Sequence, residues 1–167
     1  MASPPGRGRY RRRRRHDARD SERASIEEAT RPLTYVLDTN VVSEVMKRTP
    51  AVVRRLAEID RVEVAIPQPV IAEICFGIER LPPSKWRSEL HARFDLICAE
   101  VRRAEWTDSV SAAYGRIKAM LEKRGQRIED FDAAIAAHAL GHDATLVTAN
   151  VDHMKRIPGL RVEDWNR

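Results

Sequence analysis

The 167-residue chain carries 30 Lys and Arg against 25 Asp and Glu, a formal net charge of +5 at pH 7, and 43% of its residues are hydrophobic. No apolar run approaches the roughly 20 residues that a membrane-spanning helix needs, and the N-terminal arginines have no apolar stretch behind them, so neither a membrane span nor a secretory signal is expected. The charge is lopsided: residues 1–32 contain 10 Arg and 5 acids and hold the whole excess, while 33–167 balance.

Residues 1–32 include five consecutive arginines at 11–15 and few apolar side chains. They are expected to form a basic, disordered N-terminal extension, because so little apolar surface cannot offset the entropy of ordering. Ser25-Ile-Glu-Glu28 has capping-box spacing. The arginine run reads either as a nucleic-acid arm or as a solvated extension, including one created by a start codon assigned too far upstream. Residues 33–167 are expected to form one domain.

Leu33–Leu37 is a β-prone run ending at Asp38. Val52, Val53, Leu56 and Ile59 then recur at helical spacing behind Pro50, a residue suited to a first helical turn. Val62–Ile66 predicts a second strand, and Pro69 opens a helix to about Arg80 with Val70, Ile74, Ile78 and Leu81 on one stripe, ended by Pro82-Pro83. A helix over 84–98 with Leu90, Phe94 and Ile97 as its core face precedes a short strand over 101–106. Asp108 heads a long helix, with Val110, Ala113, Tyr114, Ile117, Met120 and Leu121 on one face, that Gly125 terminates. Phe131–Leu140, small and apolar nearly all round, predicts a buried helix. Thr145–Thr148 and Arg161-Val162 are the last strands. Strands alternating with helices predict an α/β fold with a mainly parallel sheet.

In such a sheet, ligands collect beyond the carboxyl ends of the strands, so the polar residues there carry the functional argument. Asp38 follows the first strand, with Thr39 and Asn40 behind it. Glu73 lies one turn into the helix after the second strand, and Asp132 begins the buried helix. Thr148, Asn150 and Asp152 follow the fourth strand. There is no Ser/His/Asp arrangement and no Gly-rich phosphate loop. Converging carboxylates repel one another unless a cation neutralises them, and oxygen ligands of this kind suit Mg²⁺ or Mn²⁺. Such an ion clamps a phosphodiester and activates water.

Four segments together resemble a PIN domain: Leu37-Asp-Thr-Asn-Val-Val-Ser-Glu44, Ala72-Glu-Ile-Cys-Phe-Gly77, Asp132-Ala-Ala-Ile-Ala-Ala137 and Val147-Thr-Ala-Asn150. The likeness is to VapC-type toxins of the FitB-like branch and spans about residues 34–165. It implies a three-layer α/β sandwich and a Mg²⁺- or Mn²⁺-dependent ribonuclease, the toxin of a type II toxin–antitoxin pair. It further implies a homodimer and a small antitoxin whose C-terminal segment covers the acidic pocket. By the same resemblance Asp38, Glu73 and Asp132 match the catalytic, metal-binding acids, and Thr39 and Asn40 their polar support. Asn150 stands where many PIN nucleases carry a fourth acid, which weakens a second metal site; Asp152 is a substitute two residues on.

Other residues have plainer readings. Glu44 either orients a Lys or Arg near the acids or is exposed. Glu129 and Asp130 read as exposed first-turn charges, and His138 and His142 as one packed and one helix-end residue rather than a zinc pair. Trp86, Trp106 and Trp165 read as core or dimer contacts. Cys75 and Cys98, without C-x-x-C spacing, read as free thiols of a reducing cytoplasm, Cys75 as a small core residue. RNA-contacting cations are sought among Arg80, Lys85, Arg87, Arg102, Arg103, Lys118, Lys123 and Arg124. Two rival functions remain: a catalytically degenerate PIN fold that binds nucleic acid or a partner, and an aspartyl-phosphate phosphatase, which would need an Asp where Asn40 stands.

Overall fold

The computed structural model describes residues 31–166. The arginine run, the Ser25–Glu28 spacing and all but the end of the expected N-terminal extension lie outside the described residues.

Five strands form one sheet: β1 (Tyr35–Leu37), β2 (Val64–Pro67), β3 (Arg102–Ala104), β4 (Thr145–Val147) and β5 (Arg161–Glu163). Their order is β3-β2-β1-β4-β5 and all four pairings are parallel. The α/β expectation holds, and the sheet is parallel throughout. Successive strand residues point to opposite faces, so the unbroken burial of Val64–Pro67 and of Val36-Leu37 and Leu146-Val147 places packed layers on both sides of the sheet.

The helices are α1 (Thr39–Met46), α2 (Pro50–Ala57), α3 (Gln68–Glu79), α4 (Lys85–Glu100), α5 (Asp108–Lys123), α6 (Asp130–Gly141) and α7 (Val151–Met154). The stripes read from the sequence face inward: Val70, Ile74 and Ile78 on α3, Phe94 on α4, and Val110, Ala113, Ile117 and Leu121 on α5 are buried. Gly125, at φ 65°, turns the chain out of α5. Buried all round over Ala133–Ala139, α6 lies against β1, β4 and α5. Its end meets the start of α5 so closely that a Cβ on Gly141 would stand 2.8 Å from the Val110 nitrogen.

Several expectations are corrected. Residues 61–63 form a 3₁₀ turn, and β2 starts at Val64 rather than Val62. Cys75 is exposed rather than packed in the core, because it lies off the α3 stripe of Val70, Ile74 and Ile78. Trp165 is a core residue with its ring 5.3 Å from that of Tyr35, whereas Trp86 and Trp106 are half exposed. His138 is buried and His142 caps the end of α6, as read. No helix among the described residues is long and apolar enough to cross a membrane.

The topology fixes where a site belongs. From β1 the chain moves outward to β2 and β3, then returns to the other side of β1 with β4 and moves outward to β5. The reversal lies between β1 and β4, and a crevice opens beyond their carboxyl ends at such a switch point. Asp38 follows one strand and Thr148 the other.

Candidate active site

Asp38 is 4% exposed and caps α1. Its backbone amide donates to the Val147 carbonyl at 3.0 Å, stitching the end of β1 to β4, and its own carbonyl accepts from Val41 and Val42. The carboxylate is surrounded by donors. Oδ1 accepts from the Thr39 amide at 2.7 Å; Oδ2 accepts from Asn40 Nδ2 at 2.8 Å and from Thr148 Oγ1 at 2.6 Å.

The support is itself supported. Asn40 Nδ2 also lies 3.0 Å from Thr148 Oγ1, and Asn40 Oδ1 accepts from the Ala149 amide at 2.9 Å. Thr148 Oγ1 accepts in turn from the Asn150 amide at 3.0 Å. Buried polar atoms are costly when unpaired, and here the loops after β1 and β4 satisfy one another. Burial is the main cause pushing the Asp38 carboxyl above its ordinary value; the Thr148 and Thr39 bonds oppose that, the charge of Asp132 adds to it, and Asn40 opposes it.

Asp132 stands on the first turn of α6, close enough to Asp38 to act on it through space. It is 30% exposed, and its Oδ2 lies 3.2 Å from His153 Nε2. Glu73, half-buried on α3, accepts from Thr39 Oγ1, so Thr39 joins the two acids, its amide on Asp38 and its hydroxyl on Glu73. The remaining residues lie further out. Glu44 accepts from Lys47 Nζ at 2.8 Å and from Thr49 Oγ1, which hold its carboxyl below the usual range. It thus orients a lysine. Asn150 acts here through its backbone amide; its side chain and that of Asp152 are exposed. His153, which the sequence reading did not single out, is the residue of that turn that meets an acid, and no spacing signal marks it.

Among the described residues no group of three or more His, Cys, Asp or Glu side chains closes around one point. What the fold brings together is the Asp38–Asp132 pair, with Glu73 linked to it through Thr39. Two hard carboxylates fit Mg²⁺, which keeps several waters and takes one or two carboxylates rather than a full protein cage. Asp38 and Asp132 are the residues that would hold it.

Beside Thr39 and Glu73 runs a groove of about 520 Å³ between α1, α3 and α4, lined by Met46, Lys47, Ile74, Trp86 and Arg93. Arg93 Nη1 donates to the Met46 carbonyl at 3.3 Å, and its guanidinium lies 5.3 Å from the Trp86 ring centre. Of the cations named from sequence, Arg87 pairs with Glu79 and Lys118 with Asp130 at 2.7 Å, while Arg102 donates to the Val62 carbonyl. Lys47 and Arg93, which the sequence reading omitted, are those that line the groove with Glu73.

A family model described as PIN domain matches residues 35–160. Ribonuclease VapC2 of Haemophilus influenzae is 30% identical over 133 residues, which cover 80% of this chain and 98% of that protein. Two solved structures share the fold. VapBC2 from Rickettsia felis, bound to a DNA fragment from its promoter, aligns with a TM-score of 0.71 at 29% identity, covering 80% of this chain and 99% of that one. FitAcB from Neisseria gonorrhoeae aligns with a TM-score of 0.66 at 26% identity, covering 79% and 98%. With a strand-end Asp38, a helix-start Asp132 and a family match over three-quarters of its length, this chain belongs to the PIN-domain family.

Proposed function

We propose that the protein is a Mg²⁺- or Mn²⁺-dependent ribonuclease and the toxin of a type II toxin–antitoxin pair. The observation that carries this reading is the Asp38–Asp132 pair at the β1/β4 switch point, in which a buried carboxylate is ringed by donors and faces a second acid. The ribonuclease relatives and the toxin–antitoxin structures among its neighbours support it.

Asp38 and Asp132 are the residues that would hold the ion. Asn40, Thr39 and Thr148 keep Asp38 in one orientation, so no reorganisation is needed when the ion arrives. Glu73, set by the Thr39 hydroxyl, accepts a proton or orients a water at the same mouth. When bound, the ion would supply positive charge at the scissile phosphate and make water a better nucleophile. Residues of the groove beside Glu73 serve the protein partner: Trp86 and the half-buried Leu90 offer an apolar strip, and Glu73 a negative end for a cationic side chain. The antitoxin segment that lies there covers the acids. A homodimer completes the reading.

The test is thermal unfolding and RNA cleavage with and without Mn²⁺. Mn²⁺ is expected to raise Tm, and Asp38→Asn and Asp132→Asn each to abolish both the rise and the cleavage. An unshifted Tm with no cleavage by the parent chain would favour a catalytically degenerate binding module. Cleavage that persists in Asp38→Asn would remove the metal-nuclease mechanism.

A further inference from the structure

Asp132 needs something to hold it. Its carboxylate is repelled by that of Asp38 and is 30% exposed, so water offers it an easy way out. The side chain that meets it is His153, on α7, and behind His153 stands Arg156. Arg156 Nε donates to the His153 carbonyl at 3.0 Å, and its Nη2 donates to the Arg127 carbonyl at 2.9 Å. The same Nη2 lies 3.0 Å from His153 Nε2, which in turn lies 3.2 Å from Asp132 Oδ2. One guanidinium thus ties the turn after β4 to the connection between α5 and α6, the connection that leads directly into Asp132.

We propose that Arg156 is a positioning residue which, acting through His153, holds Asp132 against Asp38 in the geometry the metal ion requires. The inference rests on the metal-dependent reading above and adds two residues to it. His153 donates its Nε2 proton to the carboxylate; that nitrogen then has no lone pair for the guanidinium, so Arg156 acts through the two carbonyls it binds, which fix the turn that presents His153. The planar fork matters. Nε and Nη2 address two carbonyls from different segments at once, which a lysine ammonium on its flexible stem does not reproduce. Partners that orient a metal-binding side chain typically change metal affinity by about 10–100-fold when removed.

The experiment uses the full chain and Mn²⁺ as the probe, with affinity read by electron paramagnetic resonance and Tm read separately in EDTA. Arg156→Met and His153→Phe are each expected to weaken Mn²⁺ binding about tenfold or more. Arg156→Lys should show the same loss, whereas His153→Gln, which keeps an N–H donor, should stay near the parent. At saturating Mn²⁺ the cleavage rate should recover in these variants, separating weakened ion binding from lost chemistry. A merely structural role would lower Tm in EDTA and leave the Mn²⁺ affinity alone, and that result would overturn the proposal, as would equal losses in His153→Gln and His153→Phe. If Arg156→Met does not fold, His153→Phe still decides, because the His153 side chain holds no backbone group. Failure of the parent reading looks different: Asp38→Asn would then bind Mn²⁺ as well as the unaltered chain does.

Discussion

Thr148→Val removes one fully buried hydroxyl while keeping the shape of the side chain, and it isolates the support of Asp38. Three contacts go: the 2.6 Å bond to Asp38 Oδ2, and the 3.0 Å bonds accepted from Asn40 Nδ2 and the Asn150 amide. Asn40 Nδ2 keeps Asp38 Oδ2 at 2.8 Å, and Asn150 is exposed, so water replaces its lost partner. The cost therefore sits in the bond to a carboxylate, about 1.5–3 kcal/mol, offset by up to ~0.8 kcal/mol for the added methyl group. A net loss of about 1–2 kcal/mol corresponds to roughly 3–8 °C in Tm for a domain of this size. The pH dependence is the sharper signature. Asp38 has a folded-state pKa above its ordinary 3.8, so between those two values the folded chain holds more protons than the unfolded one and the Asp38 contribution to stability falls as pH rises. Removing Thr148 takes away a bond that opposes this shift and widens the window. The Thr148→Val deficit should be largest at neutral pH, where Asp38 is ionised, and shrink by about 1 kcal/mol as acid turns the lost bond into an ordinary neutral one. Urea unfolding in EDTA across that range measures it. A deficit that stays constant with pH, or none at neutral pH, would refute the claim that Thr148 stabilises the ionised carboxylate.

Other outcomes follow from different parts of the molecule. Gly141→Ala should destabilise by about 1–3 kcal/mol in calorimetry, because its Cβ meets Val110 backbone atoms that cannot yield, whereas Gly115→Ala on α5, with open space around it, should stabilise by roughly 0.5–1 kcal/mol. His138 is buried with Nε2 unpaired, and burial, aided by His142 and opposed by its bond to the Ala134 carbonyl, pushes its pKa below 6.5. The unfolded chain therefore takes up a proton that the folded one refuses, so stability drops as pH falls through 6.5. His138→Leu should flatten that part of a urea-midpoint profile. Removing residues 1–30 should leave the Mn²⁺-induced rise in Tm unchanged and lower only the salt sensitivity of RNA binding, measured as the slope of log affinity against log salt.

Much of this architecture is written locally in the chain. Pro50 and Pro69 mark helix starts, Gly125 a helix end, and the stripes of α3 and α5 repeat at helical spacing because each helix buries one face. The acids at strand ends were readable for the same reason, since a parallel sheet puts them at one edge. Two short helices were not legible. The segment that forms α1 begins Thr39-Asn40, residues that favour turns, and it becomes helical because Asp38 caps it and Val41, Val42 and Met46 are buried beneath it. Only four residues long, α7 has no periodicity to read. His153 and Arg156 were invisible because their partners, Asp132 and Arg127, are more than twenty residues away in sequence and meet them only through the tertiary fold. The cations behaved similarly: Arg87 and Lys118 are taken up by neighbouring acids, while Lys47 and Arg93 reach the groove.

Asp38 is at once the buried acid of the site and the cap of α1, and that double duty governs how the protein can be switched off in a cell. Asp38→Ala would leave the Thr39 amide and the Thr148 hydroxyl proton without their acceptor, and losing a helix cap alone costs about 0.5–2 kcal/mol. Harmless expression of such a variant would then reflect a chain cleared by proteases as readily as one that cannot cut. Asp132, partly exposed and held by a single neighbour, carries no comparable structural burden. On the proposed metal-dependent mechanism, Asp132→Asn is therefore the variant expected to lose cleavage while its abundance matches that of the parent, and with which silence in a toxicity assay can be read as chemistry.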